Sequence, residues 1–326
     1  MLFTLLFHAF LFNEPQYLLD HTGIFRPKVR GAALYTASQR IIISDTDEHR
    51  VLIFHENKLE RAVGQLGEGP GDLQYPTKLQ VLGDTLYVTE NNYISAFTLS
   101  GDFQRKIKKP PGFFFEKAIS GWIGIERKGE SMNILWYNEA AETRKVLFTC
   151  KAPNSQGFNP APALPRCVVD ASGVNTYVSL PHEFVVLVFD NRTGEVVRQI
   201  KKEKHVVPFD KEWGQRQFDQ FSQRLKQLNA PAPKEPVFPK YFPPINRLLV
   251  DIHNNLLIFT RDQVVFAYTE KGAQISSPFI TEEMVHRILG VHHSAFLVLA
   301  YVDEEVKVAR VPFPHMAAFL EKYPNR

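Results

Sequence analysis

The sequence predicts an all-β fold: a six-bladed β-propeller of four-stranded antiparallel blades, with a helical insertion between blades four and five and a short C-terminal helix. Two observations support this prediction. Short runs of β-branched and aromatic residues, bounded by Gly, Asn, Asp or Pro, recur along the 326 residues. Successive runs are separated by roughly 40 to 47 residues, apart from one gap of about 80, and this period is that of a propeller blade.

The recurring runs come in pairs of strands. One strand recurs at residues 40–44, 85–89, 133–136, 176–179, 256–260 and 295–299. A partner follows each copy, at residues 51–54, 94–97, 145–148, 185–189, 264–268 and 306–310. A lone four-stranded sheet cannot bury both faces, so such repeats stack radially into a ring. We expect residues 17–24 to complete the last blade, because an open ring leaves two exposed edges. The alternative, a β-sandwich with a second domain, predicts no sustained period.

The long gap, at about residues 201–244, differs in character from the repeats. Residues 210–228 have the apolar spacing of a helix, with Asp210 as N-cap and Asn229 and Pro231 at the end. Its stripe, which we expect to be buried against the ring, comprises Phe218, Phe221, Leu225 and Leu228. The opposite face is polar, with Lys211, Gln217, Gln220, Arg224 and Gln227. The candidate binding surface of the helix comprises Trp213, Arg216, Gln220 and Arg224. A second short helix, after Pro314, would have Met316, Phe319 and Leu320 on one face.

Two motifs lie in the first and second repeats. In residues 43–54, an apolar strand ends in Asp45, a tight turn follows, and His49 and Arg50 open the next strand. In residues 64–76, a glycine-rich connection precedes the next strand and contains Gly67, Gly69, Pro70 and Gly71. Both motifs resemble those of the NHL-repeat family. The resemblance implies a six-bladed propeller similar to bacterial propeller proteins of unassigned function, and it weakens in blades three and four.

The polar residues of these motifs have structural explanations. Asp45 can cap its turn and Arg50 can bond to nearby carbonyls, so we expect both to stabilise the turn. The glycine-rich loop lacks Gly-Lys-Ser/Thr and precedes a strand, which favours a connection between blades over a phosphate site. His292 and His293 are adjacent, and neighbours on a strand point to opposite faces, which disfavours a shared metal.

The first twelve residues form an apolar run with the length of a signal-peptide core, which predicts export. The alternative is a buried first strand. Residues 13–326 then form one propeller domain, and no later segment is long and apolar enough to span a membrane. Cys150 and Cys167 are predicted to be buried free thiols, because one would close a blade on its outer side and the other would open the next blade near the axis.

Two classes of function fit these features. Net charge is only +3, which gives no reason to expect nucleic acid. The first class is a non-catalytic exported scaffold, a monomer that binds an unknown protein, peptide or small molecule and needs no cofactor. The alternative resembles propeller lyases and lactonases and needs a divalent metal near the axis. Carboxylates and histidines from at least three inner strands would have to converge there, and this convergence separates the two hypotheses.

Overall fold

A computed structural model describes most of the chain. The described residues are 16–19, 33–35, 40–55, 58–109, 114–128, 131–142, 144–151, 167–203, 205–231, 235–236, 238–251, 253–262, 264–275, 279–280, 288–292, 295–302 and 305–312. The apolar run at residues 1–12, His293 and the predicted helix after Pro314 lie outside these ranges, so those predictions are not tested.

The described strands form six four-stranded antiparallel sheets and one two-stranded ribbon. Sheet 1 contains β2 (Ala33–Tyr35), β3 (Arg40–Asp45), β4 (Arg50–His55) and β5 (Lys58–Val63). Sheet 2 contains β6 (Lys78–Leu82), β7 (Thr85–Thr89), β8 (Tyr93–Thr98) and β9 (Phe103–Lys108). Sheet 3 contains β10 (Phe114–Ala118), β11 (Gly121–Lys128), β12 (Ser131–Tyr137) and β13 (Arg144–Lys151).

The remaining strands complete the set. Sheet 4 contains β14 (Val169–Ala171), β15 (Asn175–Ser179), β16 (Val185–Asp190) and β17 (Val196–Lys201). Sheet 5 contains β20 (Ile245–Val250), β21 (Leu256–Thr260), β22 (Val264–Tyr268) and β23 (Phe279–Ile280). These five sheets each use four strands in sequence order within the sheet. Sheet 6 combines β24 (Ile288–His292), β25 (Ala295–Val302) and β26 (Glu305–Pro312) with β1 (Gln16–Leu19) from the start of the chain.

Pairing between the two ends of the chain occurs where the sequence predicts it. Tyr17 pairs with Ala309 in the antiparallel β1–β26 ladder, and β1 begins one residue earlier than expected, at Gln16. Residues 20–24, the rest of the predicted strand, are outside the described ranges. The first and last strands are thus joined by main-chain hydrogen bonds.

Neighbouring sheets pack face to face through buried apolar side chains. Ile42 and Ile53 of sheet 1 share a cluster with Leu86 of sheet 2. The opposite face of sheet 2 meets sheet 3, where Tyr87 contacts the Trp122 ring edge-on at 5.5 Å between centroids. Similar clusters join sheet 3 to sheet 4 and sheet 4 to sheet 5. A sheet with two apolar faces needs a neighbour on each side, which produces a radial arrangement.

The first strand of each sheet faces the centre of this arrangement. Strand β2 contacts β6 and β24, β6 contacts β10, and β20 contacts β14 and β24. These innermost strands surround a central channel. Because the strands alternate in direction, the start of each innermost strand lies at the same end as the turn between the second and third strands. We call this end the insertion face, because the segment between β17 and β20 leaves the sheets there.

Most of the predicted strand pairs are the second and third strands of their sheets, as in β3–β4, β7–β8, β15–β16, β21–β22 and β25–β26. The prediction was wrong by one strand in sheet 3. Residues 133–136 and 145–148 belong to the third and fourth strands, β12 and β13. The second strand, β11, contains Gly121, Gly124 and three charged residues, and this composition weakens its apolar signal.

The prediction of two free thiols was also wrong, because Cys150 and Cys167 form a disulfide with Cα atoms 6.1 Å apart. Cys150 lies near the end of β13 and Cys167 lies two residues before β14. Both side chains belong to the apolar cluster between sheets 3 and 4. Face-to-face packing brings the outer edge of one sheet over the neighbouring sheet, and a prediction based on radial distance alone missed this contact.

The insertion contains a helix held at the base of a short ribbon. Strand β18 (Val207–Pro208) pairs with β19 (Tyr241–Phe242), and helix α1 (Lys211–Gln227) lies between them. The predicted helix is confirmed: the Asp210 side chain accepts a hydrogen bond from the Trp213 N–H at 2.9 Å. Among the described residues, no helix is long and apolar enough to cross a bilayer.

The predicted burial of the apolar stripe was wrong for its outer half. Phe221 is 39% exposed and Leu228 is 70% exposed, whereas Phe218 and Leu225 are half-buried. Gly214 is the buried residue of the helix. The helix contacts the sheets through its first turn, so its axis leads away from the surface instead of lying along it.

Candidate binding site in the channel and on the insertion face

Four charged side chains from four innermost strands lie close together along the channel. We call them the channel cluster: Lys78 of β6, Glu116 of β10, Asp170 of β14 and Arg247 of β20. The Lys78 ammonium forms ion pairs with Glu116 Oε1 and with Asp170 Oδ1, the latter at 3.2 Å. Asp170 Oδ2 accepts a hydrogen bond from the Val250 main-chain N–H at 2.6 Å. Asp170 therefore ties β6 to β20 through a single carboxylate.

The two signs of charge differ in exposure. The carboxylate side chains of Glu116 and Asp170 are 3% and 9% exposed, whereas the Lys78 side chain is 31% exposed. Arg247 is also partly exposed, and its guanidinium carbon lies 5.5 Å from the centre of the Phe259 ring. Solvent in the channel therefore meets the cations first, with the carboxylates behind them.

Burial shifts the pKa values of both cations. The pKa of Lys78 is lowered, first because burial removes water from the ammonium; the charge of Arg247 adds to this effect and Asp170 opposes it. The pKa of Arg247 is also lowered by burial and is partly restored by Asp170. Each cation is thus held in a poorly solvated place, with the other cation close enough to repel it.

Chemically, the cluster suits charge recognition. The described residues include no group of three or more His, Cys, Asp or Glu side chains placed to hold a metal ion. Carboxylates from two innermost strands do converge, and the Lys78 ammonium lies between them. The sequence analysis did not select any of these four residues. The available signal was a charge inside a short apolar strand, as in Val-Asp-Ala of β14.

The base of the insertion is an aromatic cluster formed by Phe209, Trp213, Phe238 and Phe242. Phe209 lies 4.6 Å from Phe242 and 5.3 Å from Phe238 between ring centroids. Arg261, in the turn between β21 and β22, lies 4.9 Å from the Phe242 ring centre and 5.5 Å from that of Trp213. This cation–π contact fastens the insertion to sheet 5.

The structure separates the four predicted binding residues of the helix. Trp213 is half-buried in the aromatic cluster, whereas Arg216, Gln220 and Arg224 are exposed. Arg216 lies 3.9 Å from the Glu212 carboxylate on the preceding turn. Trp213 thus anchors the helix, and the other three side chains face solvent beyond the anchor.

The motif residues lie on the same face of the molecule. Arg50 Nε donates to Asp45 Oδ2 at 3.0 Å, and burial raises the pKa of Asp45 although Arg50 opposes the rise. His49, with φ of 54°, accepts a hydrogen bond at Nδ1 from the Tyr75 N–H at 3.1 Å. This bond connects the β3–β4 turn to the glycine-rich loop.

The glycine-rich loop is organised around the Asp72 carboxylate. Asp72 Oδ2 accepts from the Gly69 N–H at 2.9 Å, and a Cβ at Gly67 would lie 2.2 Å from the same oxygen. Gly71 has φ of +83°, and Pro70 precedes it. The loop's own carboxylate thus occupies the space that its main chain encloses.

Comparison with known proteins agrees with this architecture. No family model and no curated protein matches the sequence. A solved structure from Bacteroides fragilis, of a protein thought to be exported, has a TM-score of 0.55 and 9% identity, covering 91% of this chain and 94% of its own. A member of the DUF4221 family from Bacteroides vulgatus has a TM-score of 0.50 and 10% identity, covering 92% and 98%. The chain is a β-propeller. Virginiamycin B lyase from Staphylococcus aureus is a more distant neighbour of this propeller, with a TM-score of 0.45, 10% identity, and coverage of 92% and 89%.

Proposed function

We propose that this propeller is a non-catalytic exported binding module that recognises its ligand with the insertion face. One observation supports this proposal above the others: helix α1 is fastened at its first turn, and the exposed side chains of Arg216, Gln220 and Arg224 lie beyond that anchor. A rigid scaffold that presents a protruding element is a common arrangement for recognition. The ligand is a protein, a peptide or a small molecule.

Export is supported by the disulfide between Cys150 and Cys167. Disulfides persist in oxidising compartments and are rare in the cytosol. The apolar run at residues 1–12 fits a signal-peptide core, and the Bacteroides fragilis protein of similar fold is thought to be exported. Fractionation of the host cell should recover the protein outside the cytosol; recovery in the cytosol with both cysteines reduced would contradict export.

We further propose that sheet 6 acts as the sixth blade and closes the ring, with β1 as its outer strand. The β1–β26 ladder and the contacts of β24 with β2 and β20 support this closure. In this proposal Asp45, His49, Arg50 and the glycine-rich loop are structural, since their polar groups bond to one another and to neighbouring main chain.

Site-specific photo-crosslinking in the host cell tests the binding surface. A benzophenone amino acid replaces Gln220 on the insertion face in one variant, and Arg192 in another. Arg192 is an equally exposed residue in the β16–β17 turn, at the opposite end of the channel. We expect a discrete adduct from position 220 and none from position 192. Adducts from position 192 alone, or the same adducts from both, would refute recognition by the insertion face.

The alternative, a metal-dependent lyase or lactonase-like enzyme with a site at the channel, rests on the convergence of Glu116 and Asp170 from two innermost strands. Elemental analysis of the purified protein separates the two functions. About one equivalent of a divalent metal that is lost in Glu116→Gln would favour the enzyme.

A further inference from the structure

The channel cluster has an asymmetry that a purely structural ion-pair network does not need. Its carboxylates are buried at 3% and 9% exposure, but the Lys78 side chain remains 31% exposed. Arg247 is partly exposed as well. A network that only joins strands is most stable when it is fully satisfied, whereas cations that face solvent can accept a further anionic partner.

We propose that the channel binds a small oxyanion, a carboxylate or a phosphate group, between Lys78 and Arg247. The two cations lie on different innermost strands, β6 and β20, and both border Asp170. A guanidinium and an ammonium together provide several donors directed at one region, and guanidinium fits the planar geometry of such anions.

The carboxylates of the cluster do not compete for this place. Asp170 already accepts from Lys78 through one oxygen and from the Val250 N–H through the other. Glu116 pairs with Lys78 through Oε1, while its Oε2 is buried without a hydrogen-bond partner and away from solvent. Both acids therefore lie behind the Lys78 ammonium, where they hold it in position.

Electrostatic coupling in the cluster supports the same conclusion. Arg247 contributes to the lowering of the Lys78 pKa, so the two cations repel each other across the channel. An anion between them would replace this repulsion with two attractions. The poorly solvated surroundings would strengthen both attractions relative to a surface site. This site is separate from helix α1, and its ligand need not be the one that the helix recognises.

Calorimetric titration of the full chain with sodium acetate and with inorganic phosphate tests this proposal, at an ionic strength held constant with sodium chloride. We expect saturable binding of at least one oxyanion and no binding of chloride alone. Tighter binding of phosphate would assign the site to phosphorylated ligands, and tighter binding of acetate to carboxylates. Absence of saturable binding for both anions would overturn the proposal.

Three variants locate the site. Arg247→Met should weaken binding about tenfold to a hundredfold, since a charge-assisted hydrogen bond is lost. Arg247→Lys retains the charge and should fall between Arg247→Met and the unmodified protein. Lys109→Met is the matched control, because this lysine is also half-buried but donates to the Glu90 carbonyl outside the channel. Equal affinity in Arg247→Met and the unmodified protein would place the anion elsewhere and refute the site.

A measurement on the unmodified side chains protects the test against misfolding of Arg247→Met. The arginine Nε–H resonances of the isotopically labelled protein are followed during the titration, and Arg247→Lys identifies the Arg247 signal. We expect that signal to shift with the same midpoint as the calorimetric curve. An Arg247 signal that stays fixed while calorimetry reports binding would also overturn the proposal.

Discussion

Removal of the Cys150–Cys167 disulfide should destabilise the propeller by an amount that loop closure predicts. The two cysteines are 17 residues apart in sequence, and a crosslink over a loop of this length removes entropy from the unfolded chain worth about 3 kcal/mol at 25 °C. The appropriate variant is Cys150→Ala/Cys167→Ala, because both side chains are buried among apolar residues and serine would bury two hydroxyl groups.

Guanidinium unfolding, followed by both circular dichroism and tryptophan fluorescence, measures this change. Coincident transitions from the two signals would justify a single free energy of unfolding. We expect the double variant to lose about 3 kcal/mol relative to the oxidised protein. Reduction should bring the unmodified protein close to the variant, and the same reductant should leave the variant unchanged.

Two results would refute this reasoning. The first is two free thiols per chain in the purified protein after unfolding without reductant, which would show that the bond does not form. The second is a double variant as stable as the oxidised protein. The sheets would then already hold the ends of the 152–166 segment together in the unfolded state, and closure of the loop would contribute nothing.

Three further predictions concern side chains at other places in the fold. Burial raises the pKa of Glu90 above 4.5, so its contribution to stability is complete below pH 4.5 and is lost as pH rises through the folded pKa. Urea unfolding at several pH values should therefore show the unmodified protein losing stability relative to Glu90→Gln over that interval; a constant difference would contradict the shift. A Cβ at Gly214 would lie 2.7 Å from the Phe209 ring, so Gly214→Ala should cost about 1 to 3 kcal/mol and expose helix α1 to trypsin, whereas Gln223→Ala should leave the cleavage rate unchanged. Gln80 donates to the Lys117 carbonyl at 2.7 Å and accepts from the Lys117 N–H at 2.6 Å, so Gln80→Leu should lower the free energy of unfolding by about 1 to 3 kcal/mol; no loss would show that this link between β6 and β10 is not stabilising.

Strands with strong local signals were predictable from the sequence. Residues 40–45 contain three consecutive isoleucines next to an aspartate turn, and the structure places them in the buried strand β3. Helix α1 was predictable because Asp210 and Asn229 mark its two ends. In β11, glycine and charged residues interrupt the apolar run, so its neighbours were assigned to the wrong positions within their sheet.

Features that depend on the relation between sheets were not predictable from local pattern. The disulfide requires sheet 3 to lie over sheet 4, and the channel cluster requires four innermost strands to meet. Neither relation leaves a periodic signal in the chain. The exposure of Phe221 and Leu228 depends likewise on the direction of the helix axis, which the spacing of apolar residues does not define.

The β18–β19 ribbon makes the inserted segment an exchangeable module. Val207 pairs with Phe242 and Pro208 pairs with Tyr241, so the chain departs from the sheets and returns to them at adjacent positions. A segment that starts and finishes at one point can change in length or sequence without altering the strand register on either side. Descendants of this gene could thus acquire new ligands by replacing residues 209–240 alone, and a protein engineer could graft a foreign recognition loop at the same junction.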